Sequence, residues 1–120
     1  MRRKTIALDF DGVIHKYSQG WSDGTIYDGM VFGAIEGIAK LSKDYNIFIF
    51  TARDIHDVAR YMEKRKYNIQ IDDDPSLKFW NRDDAILITN RKLPAHAYID
   101  DRGIRFTSWS NLLNEIRTMI

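Results

Sequence analysis

The sequence predicts an α/β domain of three layers, α/β/α, in which helices cover both faces of a mostly parallel central sheet. Two observations predict this class. Short apolar runs of strand length alternate along the chain with stretches whose apolar residues recur at helical spacing. The clearest strand, residues 46–51, is apolar at every position from 47 to 50, as strands are when both of their faces are covered. Strands and helices that alternate in this way form open parallel sheets.

The first part of the chain predicts a strand, a flap and a helix. Residues 5–8 form a short buried strand that ends at Asp9. Glycines then break the chain into short pieces; we name residues 13–28 the flap, within which two runs could pair as a hairpin. Apolar residues at helical spacing over residues 31–41 predict a helix, with Asp28 as its cap.

The remainder of the chain predicts two further helices and four further strands. Asp54 is the expected cap of a helix with its apolar stripe over residues 55–62. Ser108 is near the expected start of a last amphipathic helix. Strand-like runs stand at residues 68–71, 85–89, 95–99 and 104–106.

The composition excludes several classes of protein. The 120 residues suffice for one domain with its own core, which we expect to span residues 1–120. The absence of cysteine excludes disulfides, zinc–thiolate sites, iron–sulfur clusters and a thiol nucleophile. A formal net charge of +1 gives no support for a strongly cationic nucleic-acid or membrane-surface protein. Because no apolar run approaches the roughly 20 residues of a membrane span or forms a signal peptide, we expect a cytoplasmic protein with no membrane partner.

Two acidic clusters directly follow predicted strands. Asp9 and Asp11 come after the first strand, and Asp100 and Asp101 come after the strand at 95–99. Because ligands of open parallel sheets bind beyond the carboxyl ends of the strands, four carboxylates could share one edge. Two such charges about 4 Å apart repel by roughly 4 kcal/mol at an effective dielectric of 20, so the cluster needs a cation. Hard oxygen ligands suit Mg²⁺, and phosphoryl transfer is a natural use of such a site.

Three residues near other strand ends are candidates for phosphate binding. Thr51 ends the strand at 46–51, and its hydroxyl, with the backbone amide of Ala52, could donate to a phosphate oxygen. Capping of the next helix is an equal alternative for Thr51. Lys92 precedes the strand at 95–99 and could neutralise a phosphate, although a solvated loop lysine is its ordinary interpretation.

Other polar and aromatic side chains have a structural interpretation beside a functional one. His15 could contact substrate, but a structural hydrogen bond in the flap is favoured. Trp21 could stack on a base or a sugar, with simple packing as the alternative. The acidic run at residues 72–74 could hold a second metal, though an exposed loop is favoured. Trp80 and Trp109 are expected in the core.

Four motifs together resemble those of the haloacid dehalogenase-like (HAD) phosphohydrolases. The first is DFDGVI at residues 9–14 after a short strand, and the second is IFTAR at 49–53. Lys92 is in the place of the third motif's basic residue, and YIDDR at 98–102 resembles the acidic fourth motif. The motifs occur in the family's order, and the chain looks most like its small, capless bacterial and phage members. The resemblance implies a Rossmann-like fold with no large cap domain.

The resemblance also implies a phosphatase that hydrolyses a phosphate monoester through an aspartyl-phosphate. Asp9 would be the nucleophile, and Asp11 would first protonate the leaving oxygen and then activate water. Thr51 and Lys92 would bind the transferring phosphoryl group, with Lys78 as the substitute for Lys92 because Lys92 stands close to the fourth motif.

The same resemblance implies a Mg²⁺ cofactor. Its ligands would be the Asp9 carboxylate, the Asp11 main-chain carbonyl and Asp100. Asp101 would support the metal either by direct contact or through contact with its ligands. Asp9, Asp11, Asp100 and Asp101 are thus the metal residues that the sequence predicts.

The substrate stays open, and three rival functions stand beside the phosphatase. The open substrate classes are a sugar phosphate, a nucleotide, a nucleic-acid end and a phosphoprotein. The flap, residues 72–84 or a partner chain would select among them. A homo-oligomer is one way to complete the site. A basic helix face at residues 60–66 could touch nucleic acid, without support from the net charge. The rivals are a receiver-like signalling domain, a catalytically silent phosphate-binding module of the same fold, and a nucleotide-sugar transferase, which the early position of Asp9 disfavours.

Overall fold

The computed structural model describes residues 3–100 and 104–119. The described chain contains six strands and three helices, in the order β1 Lys4–Asp9, α1 Ala34–Asp44, β2 Tyr45–Phe50, α2 Ile55–Glu63, β3 Ile69–Ile71, β4 Ile86–Thr89, β5 Ala97–Asp100, β6 Ile104–Arg105 and α3 Trp109–Met119. Each strand and helix predicted outside the flap is therefore present, with ends that move by a few residues.

The six strands form one parallel sheet in the order β3-β4-β2-β1-β5-β6. In the register of the central strands, Leu8 of β1 lies opposite Ile49 of β2 on one side and Ile99 of β5 on the other. The predicted α/β class with a mostly parallel sheet is confirmed. Because β1 is flanked on both sides, its carboxyl end lies between the ends of two neighbours.

The two faces of the sheet are covered differently. Alternate strand residues such as Ile6 and Leu8 belong to a large buried cluster that also holds the buried apolar side chains of α1, α2 and α3; we name it the helix-side cluster. The intervening residues, such as Ala7 and Phe48, join a smaller cluster with Trp80, which we name the loop-side cluster. Within the described residues no helix contributes to the loop-side cluster, so the prediction of helices on both faces is not confirmed.

Local predictions at the helix ends had different outcomes. Asp54 caps α2 as expected, because its side chain accepts from the backbone N–H groups of His56 and Asp57. Asp28 as the cap of α1 is wrong. Gly33 holds that position with a φ of 85°, which glycine adopts without strain. The Asp28 carboxylate instead accepts from the backbone and the hydroxyl of Ser18, which lowers the pKa of Asp28.

The flap is irregular rather than a hairpin of two strands. An isolated antiparallel bridge joins His15 to Met30, and Trp109 donates from its indole N–H to the carbonyl of Val13 at 3.1 Å. Trp80 and Trp109 are both buried, which confirms their expected place in the core. No helix among residues 3–100 and 104–119 is long and apolar enough to cross a membrane.

Candidate functional site

Three predicted site residues lie at the carboxyl edge of adjacent strands. Asp9 ends β1, Thr51 directly follows β2, and Asp100 ends β5. Asp9 pairs with Phe50 in the register, and neighbouring strands lie about 4.8 Å apart. Asp9 and Asp100 each follow one of the paired residues Leu8 and Ile99, so their side chains leave the same face of the sheet.

The carboxylate of Asp9 is oriented by its own backbone turn. Oδ1 of Asp9 accepts from the backbone N–H of Phe10 at 2.8 Å. The Phe10 ring is fully buried in the helix-side cluster, which anchors the turn that follows β1. Gly12 completes this turn with a φ of 84°.

Asp11 is held between two nitrogen donors. Nε of Arg53 donates to both carboxylate oxygens, at 3.0 Å to Oδ1 and 2.9 Å to Oδ2. Nδ1 of His15 lies 2.9 Å from Oδ1. The Asp11 side chain is 20% exposed and the Arg53 side chain 2%, so this ion pair lies at the boundary between core and solvent. These bonds hold the Asp11 carboxylate in a fixed position.

The buried His15 connects Asp11 to the far end of the flap. Nε2 of His15 accepts from the backbone N–H of Asp28 at 3.0 Å. An imidazole that accepts at Nε2 carries its hydrogen on Nδ1, so Nδ1 of His15 donates to Asp11. Its ring stacks on Phe10 and meets Tyr27 edge-on. The structural interpretation of His15 is therefore confirmed.

Arg53 joins the second motif to the flap. Nη1 donates to the carbonyl of Gly24 at 2.6 Å, and the guanidinium lies 4.6 Å from the ring centroid of Trp21 and 5.7 Å from that of Tyr17. Sequence reasoning treated Arg53 as part of a motif and gave it no role. Its partners stand 29 to 42 positions away along the chain, so no local pattern could have revealed them.

The turn after β2 presents Thr51 from a fixed backbone. The Thr51 N–H donates to Thr89 at 3.0 Å, and the Thr51 hydroxyl accepts from the N–H of Arg53 at 3.1 Å. The side-chain amide of Asn90 donates to the carbonyls of Thr51 and Arg53, at 2.7 and 2.8 Å. Thr51 is buried and Ala52 is exposed. A hydroxyl that accepts in this way keeps its own hydrogen for donation.

Of the two candidate lysines, Lys92 reaches the carboxyl edge. Its ammonium lies 5.6 Å from the ring centroid of Phe50, the last residue of β2 and the partner of Asp9 in the register. Lys78 lies exposed in the segment between β3 and β4. Lys92 therefore lies near the end of β2, as its predicted role in phosphate binding requires.

In the acidic run at residues 72–74, the carboxylates of Asp72 and Asp74 accept hydrogen bonds from other side chains. Arg91 donates through Nε and Nη2 to the two oxygens of Asp72, at 2.7 and 2.8 Å, and Thr89 donates to the same carboxylate at 2.6 Å. The pairing with Arg91 is the main cause that lowers the pKa of Asp72. Asp74 accepts from Ser76. This arrangement gives no support for a second metal site.

The structure describes only part of the predicted set of Mg²⁺ ligands. Asp101 lies outside the described residues, and within those described no group of three or more Asp, Glu or His side chains is close enough to hold a metal ion. Mg²⁺ is usually held by one or two carboxylates together with waters and substrate phosphates. Asp9 and Asp100 lie on adjacent strand ends and the same face, and their carboxylates are hard oxygen ligands of the kind that Mg²⁺ takes.

A cavity of about 680 Å³ lies beside this edge, between the flap and α2. Its walls include Gly24 and Tyr27 of the flap, Arg60 and Tyr61 of α2, and Lys64 directly after that helix. Asp9 does not line the cavity. Gly24, which does, accepts a hydrogen bond from the Arg53 guanidinium that holds Asp11.

Comparison with known proteins adds no identification. No protein-family model matches the chain, and no curated protein and no solved structure matches it. The family resemblance therefore stands on the four motifs, and the roles of the site residues stand on their chemistry and geometry.

Proposed function

We propose that the protein is a Mg²⁺-dependent phosphatase of the HAD type, with a Rossmann-like fold, that hydrolyses a phosphate monoester through an aspartyl-phosphate. The observation that carries this proposal is the sharing of one edge by Asp9, Thr51 and Asp100, from three adjacent strands. Lys92 beside Phe50 adds a cation to that edge. A carboxylate nucleophile, a hydroxyl donor, an ammonium and a metal-binding carboxylate can together carry out phosphoryl transfer through an aspartyl-phosphate.

In the first step Asp9 attacks phosphorus. A carboxylate oxygen of Asp9 forms the new bond, the bond from phosphorus to the ester oxygen breaks, and that oxygen takes a proton from Asp11. The Thr51 hydroxyl and the Lys92 ammonium stabilise the charge on the transferring group. When bound at Asp9 and Asp100, Mg²⁺ supplies further neutralisation of that charge.

In the second step water hydrolyses the phosphorylated aspartate. Asp11 accepts a proton from the water as its oxygen attacks phosphorus, the bond to Asp9 breaks, and inorganic phosphate leaves. The hydrogen bond from Phe10 to Oδ1 of Asp9 keeps the carboxylate in one orientation throughout.

One observation favours a second candidate, a catalytically silent phosphate-binding module. Both oxygens of Asp11 accept from Arg53, and Oδ1 also accepts from His15. These bonds occupy the carboxylate oxygens that would have to pass a proton to the leaving group in the first step.

Hydrolysis of an aryl phosphate distinguishes the two candidates. We expect activity with Mg²⁺, none with EDTA, and none in Asp9→Asn. The matched control is Asp73→Asn, an exposed aspartate in the loop after β3, which should keep full activity. Activity that survives in Asp9→Asn contradicts the mechanism.

A second measurement covers the case of no turnover. Beryllofluoride mimics a phosphoryl group on an aspartate. Protection of wild type, but not of Asp9→Asn, against thermal unfolding by beryllofluoride without any hydrolysis would favour the silent module. Absence of both hydrolysis and protection would refute both candidates.

A further inference from the structure

Two arginine–aspartate pairs at the carboxyl edge use their guanidinium groups differently. Arg91 places Nε and Nη2 on separate oxygens of Asp72, which fills both donors of one guanidinium edge. Arg53 places Nε alone between the two oxygens of Asp11. In a planar guanidinium Nε–H and one N–H of Nη2 point to the same side, so a donor beside Asp11 is left over.

The leftover donor is buried and has no protein acceptor in the described chain. Nη2 of Arg53 is inaccessible to solvent and lacks a hydrogen-bond partner among residues 3–100 and 104–119. Nη1 is already bound to the carbonyl of Gly24, and Trp21 and Tyr17 flank the guanidinium. The group therefore cannot turn to find another partner without breaking its bonds to Asp11 and Gly24. A buried charged donor that lacks an acceptor is unfavourable, and a bound ligand would relieve it.

We propose that Nη2 of Arg53 donates to a phosphate oxygen of the ligand, beside Asp11. The inference rests on the proposed function, because that function places the phosphate at this edge. Arg53 thus contacts the substrate, holds Asp11 and holds the flap at Gly24 through three different nitrogens. Occupation of Nη2 completes the set. Because Nη2 is inaccessible to solvent in this structure, a phosphate oxygen reaches it only when the side chains that surround it shift.

The test compares Arg53→Lys with Arg91→Lys in binding of inorganic phosphate, measured by titration calorimetry in the presence of Mg²⁺. A lysine keeps the charge of Arg53 but cannot serve Asp11, Gly24 and phosphate together. We expect the dissociation constant to rise at least about tenfold in Arg53→Lys, or about 1.4 kcal/mol. Arg91→Lys, whose guanidinium edge is filled by Asp72, should bind phosphate like wild type.

A measurement on the wild-type protein guards against misfolding of the variant. In ¹⁵N spectra of the arginine side chains, the Nη signals of Arg53 should shift when phosphate is added, and those of Arg91 should not. Arg53→Lys with an unchanged melting temperature and wild-type affinity would overturn the inference, as would unshifted Arg53 signals at saturating phosphate.

These outcomes are separable from failure of the proposed function. Hydrolysis by wild type with unaltered phosphate binding in Arg53→Lys refutes the role of Arg53 and leaves the phosphatase standing. Phosphate binding that depends on Arg53 in a protein without hydrolysis supports the role of Arg53 and refutes turnover.

Discussion

Replacement of Gly37 by alanine tests how closely α3 packs on α1. A Cβ atom on Gly37 would lie 2.1 Å from Cε3 of Trp109 and 2.7 Å from Cδ2 and Cζ3. Carbon atoms in contact stand about 3.5–4.0 Å apart, so the indole would have to move by more than about 1 Å. The ring is buried and its N–H is bound to the carbonyl of Val13, so that movement breaks a hydrogen bond as well as the packing.

The expected loss of stability follows from three contributions. Overpacking of a core costs about 1–3 kcal/mol, and the lost hydrogen bond to Val13 adds about 1 kcal/mol. Alanine is the better helix former by about 1 kcal/mol, which offsets part of this. We therefore expect Gly37→Ala to lower the free energy of unfolding by about 2 kcal/mol in urea titrations. Gly29→Ala is the control, because a Cβ there meets nothing within 4 Å. A Gly37→Ala protein as stable as wild type would refute the close packing of Trp109 against α1.

Two further predictions concern the carboxyl edge and the flap. Asp72→Asn should lower the free energy of unfolding by about 1–3 kcal/mol at pH 7, because Arg91 loses a carboxylate bound through two nitrogens. Arg91 depresses the pKa of Asp72 below its ordinary value of 3.8, so this stabilisation is present above that pH and is lost as the pH falls below it. The stabilities of the variant and wild type, measured by urea titration, should therefore converge at acid pH. A difference that persists at acid pH would contradict the ion pair. His15→Phe keeps a ring in the core but removes both hydrogen bonds of the imidazole, to Asp11 and Asp28. We expect the free energy of unfolding to fall by about 1–3 kcal/mol and trypsin to cut faster after the exposed Lys16. Unchanged stability and an unchanged cleavage rate at that lysine would show that neither bond holds the flap.

The positions of the strand-end residues could be predicted because they depend on short-range patterns. An apolar run of strand length marks the end of β1 at Asp9 and of β5 at Asp100, and parallel pairing brings those ends to one edge. Asp54 as a helix cap is equally local, because a cap bonds to amides two and three residues ahead. Such features need only the neighbouring sequence and the class of the fold.

The bonds that surround the site could not be predicted, because they join distant segments through irregular backbone. Asp28 was expected to cap α1, but the flap turns its carboxylate onto Ser18 instead. The bonds from Asn90 to the Thr51 turn span 37 and 39 positions, and the bond from Arg53 to Asp11 spans 42. Amides and guanidinium groups have many potential acceptors, so their choice depends on the finished packing rather than on spacing.

The unequal covering of the sheet explains how two cations reach one edge from different sides. The steps from β1 to β2 and from β2 to β3 run in one direction along the sheet, whereas those from β3 to β4 and from β4 to β5 run in the other. Right-handed crossovers in opposite directions pass over opposite faces, which agrees with helices on one face and irregular segments on the other.

The two proposed phosphate-binding cations follow this division. Arg53 enters with α2 and the flap, whose residues Val13 and Ile14 belong to the helix-side cluster. Lys92 precedes Leu93 of the loop-side cluster and lies over Phe50, which packs against that same cluster. A phosphate at the end of β1 would thus lie between a guanidinium from one face and an ammonium from the other. Because the segment that carries Lys92 is short and irregular, no helix on that face is needed to bring the lysine to the edge.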